Sequence, residues 1–163
     1  MEIYLGLGSN IGDREEQLRG ALTELRARDV DVRRTASLYA TEPRDLEDQP
    51  WFLNTVFEVR TLLEPMALLR ECLEIERAAG RVRVQSKGPR PIDIDILIYR
   101  DRIIEQPELV VPHPRYRERR FVLTPMVELA GELADPACGL TMRQLLDLCP
   151  DAGQVRLQSA PLL

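Results

Sequence analysis

Residues 92–99 read IDIDILIY, and this alternation of isoleucine with aspartate is the most informative pattern in the chain. Side chains two positions apart on a strand share a face, so Asp93 and Asp95 should project together, with the isoleucines at 92, 94, 96 and 98 facing the core. Two carboxylates this close repel unless a cation lies between them. Because Mg²⁺ prefers oxygen ligands completed by phosphate, the pair predicts a divalent metal site. The alternative is the polar face of an ordinary amphipathic strand.

Working outward from this strand, hydrophobic periodicity predicts further strands and two helices in the order strand, helix, strand, strand, helix, strand. This order predicts an α+β fold with a ferredoxin-like βαββαβ core, in which a mainly antiparallel sheet carries its helices on one face and leaves the other free for a site. We expect a single domain over residues 1–163. The other predicted core strands are Glu2–Gly8, Val30–Tyr39 and Phe52–Leu62, and the helices begin after Asp13 and at Pro65.

The sequence after the core predicts smaller elements. A short strand is expected near Leu109–Val111 and helical pieces near Thr124–Leu133 and Thr141–Leu148. The last residues, Leu157–Leu163, read as a frayed tail. In the first strand, Gly6 and Gly8 leave one face bare, so either a flat molecule or a neighbouring strand can lie close to the backbone there.

A basic loop, Arg81–Pro91, precedes the aspartate pair and contains Arg81, Arg83, Lys87 and Arg90. Arginine is a preferred partner of phosphate because its guanidinium offers paired donors and keeps its charge. Carboxylates for Mg²⁺ beside such a loop are the parts that a phosphoryl-type transfer needs. We expect the loop to be mobile without ligands and to close over bound substrates. The alternative is a solvated loop.

Two phenylalanines and an asparagine predict a site for a flat ring. Phe52 and Phe121 are candidates to stack on the two faces of the ring, and Asn54 offers both a donor and an acceptor to its edge. Composition alone favours core packing for both phenylalanines. His113, the single histidine, precedes four arginines within seven residues and is either structural or a donor to an anion.

The overall composition excludes several classes of protein. The formal net charge of −5 argues against broad binding to nucleic acid, which depends on Lys and Arg neutralising phosphates. The three cysteines form no CxxC pair, so neither a disulfide framework nor a zinc knuckle is indicated. No signal-peptide pattern opens the chain and no stretch approaches about 20 apolar residues, so we expect a cytoplasmic protein.

Taken together, the segments resemble the hydroxymethyl-dihydropterin pyrophosphokinase family of folate biosynthesis. The matching segments run in the family's order over about residues 2 to 150. One departure is Ser86-Lys87, where relatives often carry a basic residue and then tryptophan. The matches are Gly6-Leu7-Gly8-Ser9-Asn10, Asp48-Gln49-Pro50 with Phe52-Leu53-Asn54, Glu76 with Gly80-Arg81-Val82-Arg83, Gly88-Pro89-Arg90 through Asp93-Ile94-Asp95-Ile96-Leu97, and Pro112-His113 with Arg119, Phe121, Val122 and Leu123.

The resemblance implies an ATP-dependent enzyme that moves a pyrophosphoryl group from ATP to a reduced pterin with two Mg²⁺ ions. It implies metal binding and catalysis by Asp93 and Asp95, with Arg81 and Arg90 also catalytic. We further expect a monomer whose partners are these small molecules, with no nucleic acid or membrane. The implied pterin residues are Gly8, Thr41, Pro43, Phe52, Asn54 and Phe121; those for ATP are Glu76, Arg81, Arg83, Arg90, His113 and Arg119.

Two other functions remain open from the residues themselves. One is a two-metal nucleotidyl transferase on a similar sheet, which would transfer AMP and release pyrophosphate. It shares the carboxylate pair but gives no reason for Phe52, Asn54 and Phe121. The other is a non-catalytic RNA-binding module on a ferredoxin-like fold, which would need a basic surface and exposed aromatics, whereas this chain is acidic with 5% aromatic residues.

Overall fold

The computed structural model describes residues 2–43, 50–80 and 91–163. Arg81, Arg83 and Arg90, with nearly all of the basic loop, and the motif residues Asp48 and Gln49 therefore lie outside the described residues. Within the described ranges the chain forms these elements in order: β1 (Ile3–Ser9), α1 (Arg14–Ala27), β2 (Asp31–Thr35), β3 (Leu38–Thr41), β4 (Phe52–Arg60), α2 (Pro65–Ala78), β5 (Asp93–Tyr99), β6 (Ile104–Glu105), β7 (Val110–Val111), a 3₁₀ turn (Tyr116–Glu118), α3 (Arg120–Ala130), α4 (Met142–Leu148) and β8 (Val155–Ser159).

The main sheet has the strand order β5-β1-β4-β3-β8, and β2 also pairs with β4. Every pair in it is antiparallel. The first and third predicted strands, now β1 and β4, lie side by side in the centre, and the fourth, β5, lies outside β1. The predicted α+β fold with an antiparallel sheet is confirmed. Among the described residues, no helix is long and apolar enough to cross a membrane.

The two helices of the predicted core, α1 and α2, pack on one face of the sheet, as predicted, and α3 and α4 add a second layer on part of the opposite face. Leu18 and Leu25 of α1 and Leu68 of α2 pack in one cluster with Leu5 of β1 and Phe57 of β4. A second cluster on the opposite face joins α3 and α4 to the sheet through Val56, Leu123, Met126, Met142 and Leu145. The second face is therefore only partly open, and the open part is where a pocket can form.

The helix ends follow local sequence signals. Asp13 caps α1, with its side chain accepting a hydrogen bond from Glu16 N at 3.1 Å. Pro65 begins α2, where its missing N–H costs no hydrogen bond. Gly80 adopts a positive φ of 92° two residues after the end of α2, a conformation that favours glycine.

The predicted second strand is divided in two. An irregularity in the pairing with β4 separates β2 from β3, because Thr35 pairs with Phe57 while Tyr39 pairs with Asn54. Ser37 lies in the gap, where its backbone N–H and its hydroxyl both donate to Glu128 of α3. The break therefore attaches this edge of the sheet to α3.

The C-terminal residues form a strand, which corrects the expected frayed tail. Strand β8 pairs with β3 and becomes the outer strand of the sheet. Glu42 N donates to Gln154 O at 3.3 Å, and the Arg156 guanidinium lies 5.0 Å from the centre of the Trp51 ring. The sequence VRLQS does not predict this strand, because the strand's side chains are largely exposed and give no buried apolar face.

A bulge interrupts the alternation of β5. Tyr4 pairs with Ile98 but Leu5 pairs with Ile96, so Leu97 is an extra residue opposite β1. Leu97 and Ile98 consequently both join the cluster under α3 and α4, and the expectation that Ile98 faces the same way as Ile96 is wrong. The Leu97 carbonyl accepts a hydrogen bond from His113 N at 2.9 Å, which brings the chain after β7 back to the sheet.

Candidate active site

A row of three residues crosses the open face of the sheet. Gly8 on β1 pairs with Asn54 on β4 and with Asp93 on β5. Neighbouring strands lie about 4.8 Å apart, so the carboxylate and the amide are separated by about 10 Å of bare backbone. In the next row Gly6 pairs with Asp95. The strand register thus places both aspartates beside a glycine-floored surface.

This surface is the floor of a pocket that brings most of the predicted site together. Asp93, Asp95 and Asn54 line it from the sheet, and Phe121 and Arg119 line it from the segment around the start of α3. Pro43 and Glu76 are not among its described lining residues. Its lining residues within the described part of the chain are Gly6, Leu7, Gly8, Thr41, Glu42, Phe52, Asn54, Thr55, Asp93, Asp95, Leu97, His113, Arg115, Glu118, Arg119, Phe121 and Val122.

The Asn54 amide is held in one orientation. Its Nδ2 donates to Thr41 Oγ1 at 2.6 Å, and both side chains are buried. A Cβ atom on Gly8 would lie 3.4 Å from Asn54 Cγ and would overlap Asn54 Oδ1. Glycine at position 8 therefore makes room for an amide that offers its oxygen beside the pocket floor. This is a fixed hydrogen-bonding edge suited to a flat heterocycle.

The two candidate stacking residues both reach the pocket. Phe52 and Phe121 are half-buried lining residues, which differs from the core packing that composition alone favours. Phe52 approaches Gly8, since its Cδ1 would lie 3.6 Å from a Cβ there. Phe121 comes from α3, and the Arg119 guanidinium lies 5.7 Å from the centre of its ring. The pocket therefore has aromatic groups from both the sheet and α3.

His113 is a neutral donor facing the aspartates. Burial and the positive charges of Arg119 and Arg115 lower the pKa of His113 to about 4, against the opposing effect of Asp93. Nδ1 accepts a hydrogen bond from Arg115 N at 3.1 Å, which assigns the proton of the neutral ring to Nε2. Nε2 lies 4.0 Å from Asp95 Oδ2. At neutral pH this N–H can donate to an oxygen anion in the pocket.

Glu76 lies behind the aspartate pair. It is a buried residue of α2, and its Oε2 accepts a hydrogen bond at 2.7 Å from Ile94 N, the backbone amide between the two aspartates. Its described contact is thus with the strand that carries the pair. A contact between Glu76 and a nucleotide stays a prediction.

The acidic pair fits a hard cation whose other ligands come from a substrate. Asp93 and Asp95 offer carboxylate oxygens from one face of β5, and both are partly exposed in the pocket. Among the described residues, no cluster of three or more His, Cys, Asp or Glu side chains could hold a metal ion by itself. Mg²⁺ suits such a site because it binds through one or two carboxylates plus phosphate and water.

The structure adds lining residues that sequence reasoning did not assign to the site. Arg115 precedes the 3₁₀ turn and Glu118 ends it, and positions three apart in such a turn lie on the same side. The three-residue spacing could have indicated that both residues line the pocket only if the position of the turn had been known. Glu42 lines the pocket at the end of β3. Arg117, from the same basic run, instead pairs with Asp135 at 2.7 Å.

The fold and the pocket together define a ferredoxin-like α+β domain. It carries an acidic pair suited to a metal ion and a pocket lined by two phenylalanines on the open part of its sheet. The family model described as 7,8-dihydro-6-hydroxymethylpterin-pyrophosphokinase matches residues 4–131. The chain belongs to this family, as its motifs predicted.

Several relatives support the assignment. The chain is 44% identical over 156 residues to the 2-amino-4-hydroxy-6-hydroxymethyldihydropteridine pyrophosphokinase of Methylorubrum extorquens, covering 95% of this chain and 98% of that protein. The protein of the same name from Bacillus subtilis is 44% identical over 135 residues, with 82% and 81% covered. The Pneumocystis carinii folic acid synthesis protein fol1 is 40% identical over 149 residues, or 91% of this chain.

The chain spans about a fifth of the length of the fungal folic acid synthesis proteins it matches. Among solved structures, a Plasmodium falciparum HPPK-DHPS crystal structure with pteroate has a TM-score of 0.74 at 16% identity, covering 90% of this chain and 44% of that one. At that identity the likeness shows the fold alone, and the fold is the one described above.

Proposed function

We propose that this chain transfers the β,γ-pyrophosphoryl group of ATP to the hydroxymethyl group of 6-hydroxymethyl-7,8-dihydropterin, giving the pterin diphosphate and AMP in folate biosynthesis. The observation that carries the proposal is the row Asp93, Gly8 and Asn54, which places an acidic pair and a fixed amide in one pocket. The relatives that are 44% identical are named as pyrophosphokinases of this pterin, which supports the proposal.

The pterin binds over Gly8. Its ring stacks on Phe52 and Phe121, and its polar edge is read by Asn54, which Thr41 holds in place. Pro43 belongs to the pterin side through the family resemblance. Because the amide and the aromatic groups are already positioned, little side-chain freedom is lost when the ring binds.

The triphosphate binds toward the aspartates. Asp93 and Asp95 would hold the two predicted Mg²⁺ ions, and these ions would supply positive charge to the phosphates. His113 donates from Nε2 to a phosphate oxygen, and Arg119 supplies a positive charge beside it. The resemblance adds Glu76, Arg81, Arg83 and Arg90 to this side.

In the transfer, the hydroxymethyl oxygen bonds to the β-phosphorus while the bond from that phosphorus to the oxygen bridging to the α-phosphate breaks. AMP leaves with the bridging oxygen and its electron pair, and the proton of the hydroxymethyl group is released to water. The chain's contribution is to hold the two reactants side by side, which removes much of the entropic cost of bringing them together. No described residue needs to form a covalent bond with either substrate.

The test is turnover with ATP, Mg²⁺ and 6-hydroxymethyl-7,8-dihydropterin, with nucleotide products separated by chromatography. AMP formed in step with the pterin diphosphate supports the proposal. Release of pyrophosphate, with AMP joined to the acceptor, would support a nucleotidyl transferase instead. The monomeric state, the absence of a nucleic-acid partner and the cytoplasmic location stay predictions.

A further inference from the structure

The segment 113–120 carries four pocket residues but is anchored from outside the pocket. His113, Arg115, Glu118 and Arg119 line the pocket, whereas Tyr116 and Arg117 point away from it toward another partner. Local hydrogen bonds make the segment compact, since Glu118 N donates to Arg115 O at 3.0 Å and Arg119 N donates to Tyr116 O at 3.1 Å. Whatever holds Tyr116 and Arg117 therefore also sets where the lining residues stand.

That partner is the carboxylate of Asp135, which is fully buried between α3 and α4. It accepts hydrogen bonds from the Tyr116 hydroxyl and from Arg117 Nε at 3.0 Å and NH2 at 2.7 Å. It also accepts from the backbone N–H groups of Ala137 at 2.7 Å and Cys138 at 3.2 Å. Such a set of donors fills the acceptor sites of one carboxylate, so the turn is held by charge-assisted bonds shielded from water.

The neighbouring stacking residue has a separate anchor. Arg120 N donates to Asp151 Oδ2 at 3.0 Å, and Arg120 Nε donates to Asp151 O at 2.9 Å. These bonds fix the first turn of α3, which carries Phe121. Loosening Asp135 should therefore move Arg115, Glu118 and Arg119 while leaving Phe121 largely in place.

We infer that Asp135 is a positioning residue for the nucleotide side of the pocket, acting through the 3₁₀ turn at Tyr116–Glu118. The inference rests on the proposed function for its ligand, because Arg119 and His113 face the triphosphate in that proposal. It assigns a role in ATP binding to a carboxylate that does not border the pocket and lies beyond the residues that the family model matches.

The chain contains a matched control for this claim. Glu58 on β4 is also a buried carboxylate that accepts from a tyrosine and an arginine, with Tyr4 Oη at 3.1 Å and Arg34 NH2 at 3.2 Å. It does not line the pocket. Glu58→Gln and Asp135→Asn each remove one charge from the same kind of cluster, so a general loss of stability should appear in both.

The experiment compares the wild type, Asp135→Asn and Glu58→Gln in three measurements. Calorimetry with a non-hydrolysable ATP analogue and Mg²⁺, and separately with the pterin, measures affinity. Hydrogen exchange of the amides of residues 115–119 measures order in the turn, and thermal melting measures stability. We expect Asp135→Asn to weaken binding of the ATP analogue by about 10-fold, which is the scale of one charge-assisted contact. Its affinity for the pterin should change by less than about 3-fold. Exchange in the turn should rise in this variant alone.

Equal loss of analogue affinity in both variants would overturn the inference, and so would unchanged affinity or exchange in Asp135→Asn. If Asp135→Asn does not fold, Tyr116→Phe removes one donor to the same carboxylate and should show the same selective pattern at smaller size. A wild type that neither turns over nor binds the analogue would refute the proposed function, whereas the exchange measurement would still judge whether Asp135 orders the turn.

Discussion

Replacing Gly8 with alanine tests the arrangement of the pterin pocket without removing any polar group. The added methyl would overlap Asn54 Oδ1 and lie 3.4 Å from Asn54 Cγ. The amide cannot simply turn aside, because its Nδ2 is bonded to the buried Thr41 hydroxyl at 2.6 Å. Asn54 must therefore leave its position or the methyl must displace the bound ring, and in either case the contacts to the ring edge are lost.

The size of the effect follows from those contacts. A net hydrogen bond contributes about 0.5–1.5 kcal/mol, so losing two at the ring edge costs roughly 1–3 kcal/mol. That corresponds to pterin binding weaker by roughly 5- to 150-fold. Affinity for an ATP analogue with Mg²⁺ should change by less than about 3-fold, since His113 and Arg119 are untouched. Titration calorimetry with each ligand measures both values.

Gly6→Ala is the matched comparison, because Gly6 lies on the same strand and the same face. Its methyl would meet only the flexible end of Leu97, at 3.3 Å, so a small shift accommodates it. We expect a smaller loss of pterin affinity than in Gly8→Ala. Wild-type pterin affinity in a folded Gly8→Ala variant, or equal loss in both variants, would refute the reasoning from Asn54.

Three further predictions address the metal pair, the stacking residue and acid stability. Asp95→Ala should lower kcat by more than about 100-fold, because even residues behind metal ligands cost 10–100-fold, while circular dichroism stays unchanged; near-normal kcat would contradict the metal assignment. Phe121→Ala should weaken pterin binding by about 1–3 kcal/mol, the scale of one lost stacking contact, and calorimetry showing equal loss for the ATP analogue would count against it. The hydrogen bonds from Arg34 lower the pKa of Glu58 despite burial, so its stabilising effect is complete above the ordinary value of 4.5 and is lost as pH falls through the lower folded value. Glu58→Gln should therefore melt earlier than the wild type at pH 7 and lose less stability on acidification to pH 3, and parallel melting curves would argue against this role.

Much of the fold could be predicted because several strands show a two-residue alternation of side-chain type. Alternation identified β1, β4 and β5, and the Asp13 and Pro65 signals located the starts of α1 and α2. The bulge at Leu97 could not be predicted, since it reflects how β5 meets Tyr4 and Leu5 across the sheet. The same limit explains β8, whose partner β3 lies more than a hundred residues away in sequence.

The candidate site was predictable where residue type and strand register coincide. The alternation of side chains along paired strands brings four of the predicted residues to the same face of the sheet: Asp93, Asp95, Asn54 and Gly8. The lining role of Arg115 and Glu118 could not be predicted in this way, because a basic run does not indicate which side of a short turn faces the pocket. For Glu76 the predicted nucleotide contact stays a prediction, while its hydrogen bond to the backbone of β5 could not be foreseen from the sequence.

Strand β8 shows that the folded unit extends beyond the residues that the family model matches. The family model ends at residue 131, yet α4 supplies Met142 and Leu145 to the core. In and just before β8, Arg156 and Gln154 contact Trp51 and Glu42 beside the pocket. A boundary drawn at residue 131 would therefore cut through a hydrophobic cluster and expose the edge of β3. In fusions or truncations of this chain, the junction belongs after Leu163, because Leu162 packs against the core and Leu163 N donates to Thr35 Oγ1 at 3.0 Å.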